Sequence, residues 1–106
     1  MTTPADIFAR VKDNTDPSKI AGVNASVGFD LSGDNGGQWT LVIADGNIDV
    51  ADGLATGVNA TIKMKDTDYV DMMSGKLNPM MAFMGGKVKV DGDLNTVMKL
   101  QSIMGA

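Results

Sequence analysis

The sequence predicts an α+β domain, a five-stranded antiparallel sheet covered on one face by about four to five helices. Two observations carry that expectation. Apolar residues recur with helical spacing near the N-terminus, alternate with polar ones from Val23 to Met64, and return to helical spacing after Asp66. Asp-Gly and Gly-rich clusters punctuate the alternating stretch, as hairpins require. A length of 106 residues, 43% of them apolar and 21% charged, suits a single globular domain over residues 1–106. No linker, internal repeat or low-complexity tract divides it.

Pro4 follows Thr2-Thr3, a proline at the first helical position behind a hydroxyl cap, and Ile7, Phe8 and Val11 form a short apolar stripe. The pattern predicts a helix over 4–13. Asp16-Pro17 repeats the signature and opens a helical turn closed by Gly22. Val23, Ala25, Val27, Phe29 and Leu31 then alternate with polar residues or glycine, a strand with one buried face. After the turn cluster 33–37, Trp39, Leu41 and Ile43 carry a second strand into Asp45-Gly46, and Ile48 and Val50 a third into Asp52-Gly53. Val58, Ala60, Ile62 and Met64 supply a fourth. Tyr69, Met72 and Met73 share one side of a helix that Gly75 ends. Asn78-Pro79 starts another, with Met80, Phe83 and Met84 on one face and Gly85-Gly86 as its stop. Lys87 to Val90 alternate as a fifth strand, and Asp93 caps a final helix with Leu94, Val97, Met98, Leu100 and Met104 at its apolar positions.

Composition narrows the chemistry. Cysteine and histidine are absent, which excludes disulfides, thiolate or imidazole metal sites, and nucleophiles that need a histidine base. All thirteen acidic residues are aspartates, and the net charge of −4 repels phosphate backbones, so no nucleic-acid partner is expected. The apolar run Leu41 to Ala44 is far shorter than the ~20 residues of a membrane span. Asp6, Arg10 and Lys12 interrupt the N-terminus, no signal-peptide core is visible, and the terminal Met104-Gly105-Ala106 matches no peroxisomal address. The expected compartment is the cytoplasm.

All but two of the nine methionines lie between Met72 and Met104. Unbranched thioether chains fill irregular gaps in a core and also re-pack around varied ligands, so this helical half reads as core, cavity wall or both. Gln101 falls between Val97 and Met98 on a helical projection, an amide inside an apolar arc that needs a partner: backbone, solvent or the polar end of a ligand. Asp45, Asn47 and Asp49 match the first ligand positions of a calcium loop, but Val50 and Thr56 stand where that loop requires glycine and a bidentate carboxylate. Gly75-Lys76 and Gly86-Lys87 lack the rest of a phosphate-binding loop. Tyr69 with Asp68 and Asp71 has the residue types of a proton-transfer set, yet helical spacing turns both carboxylates away from the tyrosine. No metal or cofactor is expected.

From Ala60 to Ile103 the chain resembles the sterol carrier protein type 2 lipid-binding domain family. The residues that carry the resemblance are Thr61-Ile62, Met64, Asp66, Asp68-Tyr69, Met73, Gly75 to Pro79, Ala82-Phe83, Gly86 to Val90, Gly92 and Met98 to Gln101; Trp39 and Asp45-Gly46 extend it more thinly. Each match is weak alone, and their shared order and spacing is specific. The resemblance implies a non-catalytic carrier with a hydrophobic tunnel between sheet and helices for fatty acids, fatty acyl-CoA, sterols or phospholipids. Its expected wall is Trp39, Leu41, Ile43, Met72, Met73, Met80, Phe83, Met84, Val97, Met98, Leu100, Gln101 and Met104. A monomer with transient membrane contact is expected. Where the family usually has two glutamines and a second phenylalanine around Ala82-Phe83, this chain has Met80, Gly85 and Met84, which implies a more apolar, softer cavity. The competing expectation is an interaction module whose cavity is filled with methionine.

Overall fold

The computed structural model describes residues 3–11 and 17–104, with the side chains of Pro17, Pro79 and residues 101–104 outside that description. The elements are α1 (Pro4–Ala9), α2 (Pro17–Ile20), β1 (Ala25–Ser32), β2 (Gly37–Ala44), β3 (Asn47–Asp52), β4 (Ala60–Lys65), α3 (Asp66–Met73), α4 (Pro79–Met84), β5 (Lys89–Gly92) and α5 (Leu94–Met104). Several caps read from the sequence are in place. The Thr3 hydroxyl accepts from the Asp6 amide while the Asp6 carboxylate accepts from the Thr3 amide, a reciprocal box that satisfies two otherwise orphaned donors. Asn78 Oδ1 accepts from the amides of Met80 and Met81, and Asp93 from that of Asn95. The helix expected over 4–13 ends at Ala9; its last residues, like Asp16, lie outside the described ones.

The sheet is mixed, not antiparallel. Its order is β3-β2-β1-β4-β5, with β4 parallel to β1 and every other pair antiparallel. The Asp52-Gly53 dipeptide, which reads as a hairpin, does not bring β4 back beside β3. Residues 53–59 instead cross the sheet face away from the helices. The buried Thr40 hydroxyl fixes the start of this crossing, donating to Gly53 O at 2.7 Å and accepting from the Ala55 amide at 2.9 Å. Leu54 then lies over Gly28, where a Cβ would sit 3.0 Å from a leucine methyl, and Asn59 bonds Ser26 at the start of β1. The strand therefore begins at Ala60, with Val58 left in the crossing. β5 also shifts, spanning Lys89–Gly92, although Val88 remains buried.

The helix-facing side of the sheet carries Val90, Ile62, Phe29 and Trp39 in one cross-strand row. Below the helices, Val27, Phe29, Leu31, Leu41, Ile43, Ile48, Ile62 and Met64 are all buried, each contributing about 1.5–3 kcal/mol of transfer free energy. α1 packs on α3, α3 on β1 and β4, and α5 on β1, β4 and β5. At the start of α3, the buried Asp66 carboxylate accepts from the amides of Asn35 and Thr67, which ties the β1–β2 turn to the helix. Gly33 makes that approach possible: its φ is +108°, and any Cβ there would collide with the Asp66 carboxylate.

Candidate functional site: an apolar pocket beside β4 and β5

The helical layer meets the two halves of the sheet differently. Over β1 and β2, Phe8 of α1 stacks on Trp39 with ring centroids 4.8 Å apart and meets Phe29 edge-on at 5.0 Å. This half is packed by aromatic rings. Over β1, β4 and β5, the helices α3, α4 and α5 leave a pocket of about 120 Å³. A single water needs roughly 10–15 Å³, so the pocket has room for a substantial apolar group.

Phe29, Ile62 and Val90 form its floor, and Val88 precedes β5 at its edge. Tyr69, Met72 and Met73 enter from α3, Met80 and Phe83 from α4, and Leu94, Val97, Met98 and Leu100 from α5. Among these lining residues only Tyr69 carries a titratable side chain. It is 1% exposed, and its hydroxyl has no hydrogen-bond partner. Burial pushes its pKa far above the ordinary value of 10.0, so it is a neutral phenol. Its ring is held by Phe8, stacked at 5.3 Å, and by Phe29, edge-on at 5.7 Å.

The rim is apolar and wet. Met80, Phe83, Leu94 and Met98 all line the pocket and are also exposed, Met80 to 54% and Met98 to 51%. Soluble folds rarely leave so many large apolar side chains together in water unless something covers them.

Of the residues expected from the sequence, the structure brings Met72, Met73, Met80, Phe83, Val97, Met98 and Leu100 to this pocket. It places Trp39, Leu41 and Ile43 elsewhere: Trp39 stacks on Phe8, and Leu41 and Ile43 are sealed in the core. All three belong to β2, which is separated from β4 by β1. Met84 is 79% exposed and lies outside the wall. The inward face of α4 centres between buried Ala82 and Phe83, and at about 100° per residue Met84 falls well away from that direction. The side chains of Gln101 and Met104 lie outside the described ones. Sequence reasoning missed Phe29, Ile62, Tyr69, Val88, Val90 and Leu94 as wall residues. Strand alternation had already put most of them on the apolar face, but not beside these helices.

Residues 5–105 match the SCP-2 sterol transfer family. Hydroxysteroid dehydrogenase-like protein 2 from Bos taurus is 36% identical over 101 residues, a match covering 93% of this chain and 24% of that protein. The chain thus spans about a quarter of the length of that curated relative. The solution structure of the sterol carrier protein domain 2 of Helicoverpa armigera is 31% identical, with a TM-score of 0.74 over 93% of this chain and 80% of that one. Palmitated SCP2L2 from Aedes aegypti has the same fold, with a TM-score of 0.73 over 99% of this chain and 96% of that one at 16% identity. The match over nearly the whole length, together with the shared fold, shows that the chain belongs to the SCP-2 sterol transfer family.

Proposed function

We propose that the chain holds one lipid-sized apolar ligand in the pocket between β1, β4, β5 and the helices α3, α4 and α5, and carries it without chemical change. The observation that supports this most is the wall itself, in which every lining side chain but that of Tyr69 is wholly apolar. Burial of an apolar tail there is worth about 25 cal/mol per Å² removed from water. The methionines at 72, 73, 80 and 98 let the wall re-pack around tails of different shape. The pocket also speaks for a carrier over a module filled with side chains. With no carboxylate, lysine or arginine among the lining residues and a phenol held neutral, the wall offers little acid/base chemistry, in keeping with a non-catalytic role.

The palmitate carried by the Aedes aegypti protein makes fatty acids the first ligands to try; fatty acyl-CoA and sterols follow from the family. Gln101 and Met104, on the same helix as Val97 and Met98, remain in the proposed site on the strength of sequence alone. The exposed rim is where membrane contact would deliver or receive the ligand. Native mass spectrometry of the purified protein, with displacement of a fluorescent fatty acid, tests the proposal. Bound lipid and saturable displacement are expected; the absence of both would refute lipid carriage.

A further inference from the structure

Helix α4 is apolar on every side. Its sequence from Pro79 to Met84 is Pro-Met-Met-Ala-Phe-Met, and a helix of that composition is ordinarily enclosed. The pocket accounts for only part of it. Met80 and Phe83 line the wall and Ala82 is buried, whereas Met81 and Met84 lie outside the wall, 69% and 79% exposed. With Leu94 and Met98 of α5, the exposed side chains of α4 make up six of the eight large apolar ones that face solvent among the described residues, all on two helices that frame the pocket.

The charge around α4 has one sign. Residues 72–90 hold three of the nine basic residues and none of the thirteen aspartates. Lys76 and Lys87 are exposed and stand three residues before and three residues after the helix. Lys89, between Val88 and Val90, alternates to the other face of the sheet. Asp93, next to Leu94, is taken up by the α5 cap, accepting from the Asn95 amide and the Thr96 hydroxyl. The net charge of −4 opposes the two lysines only weakly, because charges beyond about 8 Å are screened at physiological salt.

We propose that α4 is a membrane-docking element, which lies in the interface of an anionic bilayer with Met81 and Met84 among the acyl chains and Lys76 and Lys87 on the headgroup phosphates. This rests on the lipid-carrier reading above and adds the element and the lipid charge through which the pocket meets a membrane. Six residues at 1.5 Å each make a helix about 9 Å long, far too short to span a bilayer and able to lie flat in its surface. A bilayer suits the patch better than a protein, since a protein seated there would cover the mouth through which the ligand passes.

The full chain is compared with a Met81→Ser/Met84→Ser variant and a Lys76→Gln/Lys87→Gln variant. Each is floated with vesicles of phosphatidylcholine alone and of equal parts phosphatidylcholine and phosphatidylserine. The parent is expected to prefer the mixed vesicles. The methionine pair should weaken that binding at least about ten-fold. The lysine pair should weaken it about ten-fold and leave binding to phosphatidylcholine unchanged. None of the four side chains lines the pocket, so affinity for a fluorescent fatty acid in solution and the thermal midpoint should match the parent in both variants. A parent that ignores both vesicles, or variants that bind them as the parent does, would overturn the docking helix and leave lipid carriage to the fatty-acid titration. Self-association of the parent that the methionine pair abolishes, without vesicle binding, would also overturn it and make the patch an interface between copies of the chain. A parent that floats as expected yet takes up no fatty acid would leave docking standing and refute carriage.

Discussion

The rings of Phe8 and Tyr69 lie almost parallel, 11° apart in orientation with centroids separated by 5.3 Å. One ring belongs to the first helix, and the other is a wall of the pocket. Helix α1 thus braces the pocket from behind without touching its interior. Phe8→Ala removes that brace together with the contacts to Phe29 and Trp39, and is expected to cost about 3–5 kcal/mol of stability. Under conditions where the variant remains folded, affinity for a fluorescent fatty acid should also fall, since Tyr69 loses one of its two clamps. Urea unfolding and dye titration on the same protein check both effects.

The acid limb of stability should report the cap of that helix. The Thr3 amide, and next the Thr3 hydroxyl, donate to the Asp6 carboxylate and hold its pKa below the usual 3.8. A depressed folded pKa means that the contribution is present above the unfolded value and is lost as pH falls through the folded one. Asp6→Asn should therefore lower stability at neutral pH and show a shallower loss on acidification, with the two proteins converging at the acid end. Denaturant midpoints across the acid range measure this.

At the alkaline end the sign reverses. Burial raises the Tyr69 pKa above 10.0, so its contribution is complete below pH 10 and declines as pH rises beyond it, where only the unfolded chain gives up the phenolic proton. The chain has one tyrosine, which makes the signal unambiguous. Tyrosinate absorbance should appear together with loss of secondary structure, not before it. An ordinary titration near pH 10 in the folded protein would contradict the buried phenol.

Filling the pocket separates carriage from folding. Val97 lines the pocket and is only half-buried, so Val97→Phe projects added apolar volume into empty space. Affinity for a displaceable fatty acid should drop at least ten-fold while the melting temperature holds or rises. Retention of full affinity would place the ligand elsewhere.

The turn between β1 and β2 depends on Asp66. Asp66→Ala leaves the amides of Asn35 and Thr67 without their acceptor and should cost about 1–3 kcal/mol. Amide hydrogen exchange localises the effect, and faster exchange is expected at Asn35.

Sequence alone determined what local chemistry specifies. Thr3-Pro4, Asn78-Pro79 and Asp93 mark helix starts because capping is a matter of a few adjacent residues, and those caps lie where the pattern puts them. Alternation likewise set which side of β1, β2 and β4 faces the core, since side chains in a strand repeat every two residues. Strand order was another matter. Asp52-Gly53 fits a hairpin and also fits the first bend of a crossing, and the choice rests on Thr40 and Gly28, which meet residues 53–59 only across the folded sheet. That crossing sets β4 against β1, and β5 follows it. The floor of the pocket is therefore Phe29, Ile62 and Val90, while Trp39, Leu41 and Ile43 go to the half beneath α1. Periodicity reports that a residue faces inward; which helix covers it, and whether a space remains beneath, is decided by contacts between residues far apart in the chain.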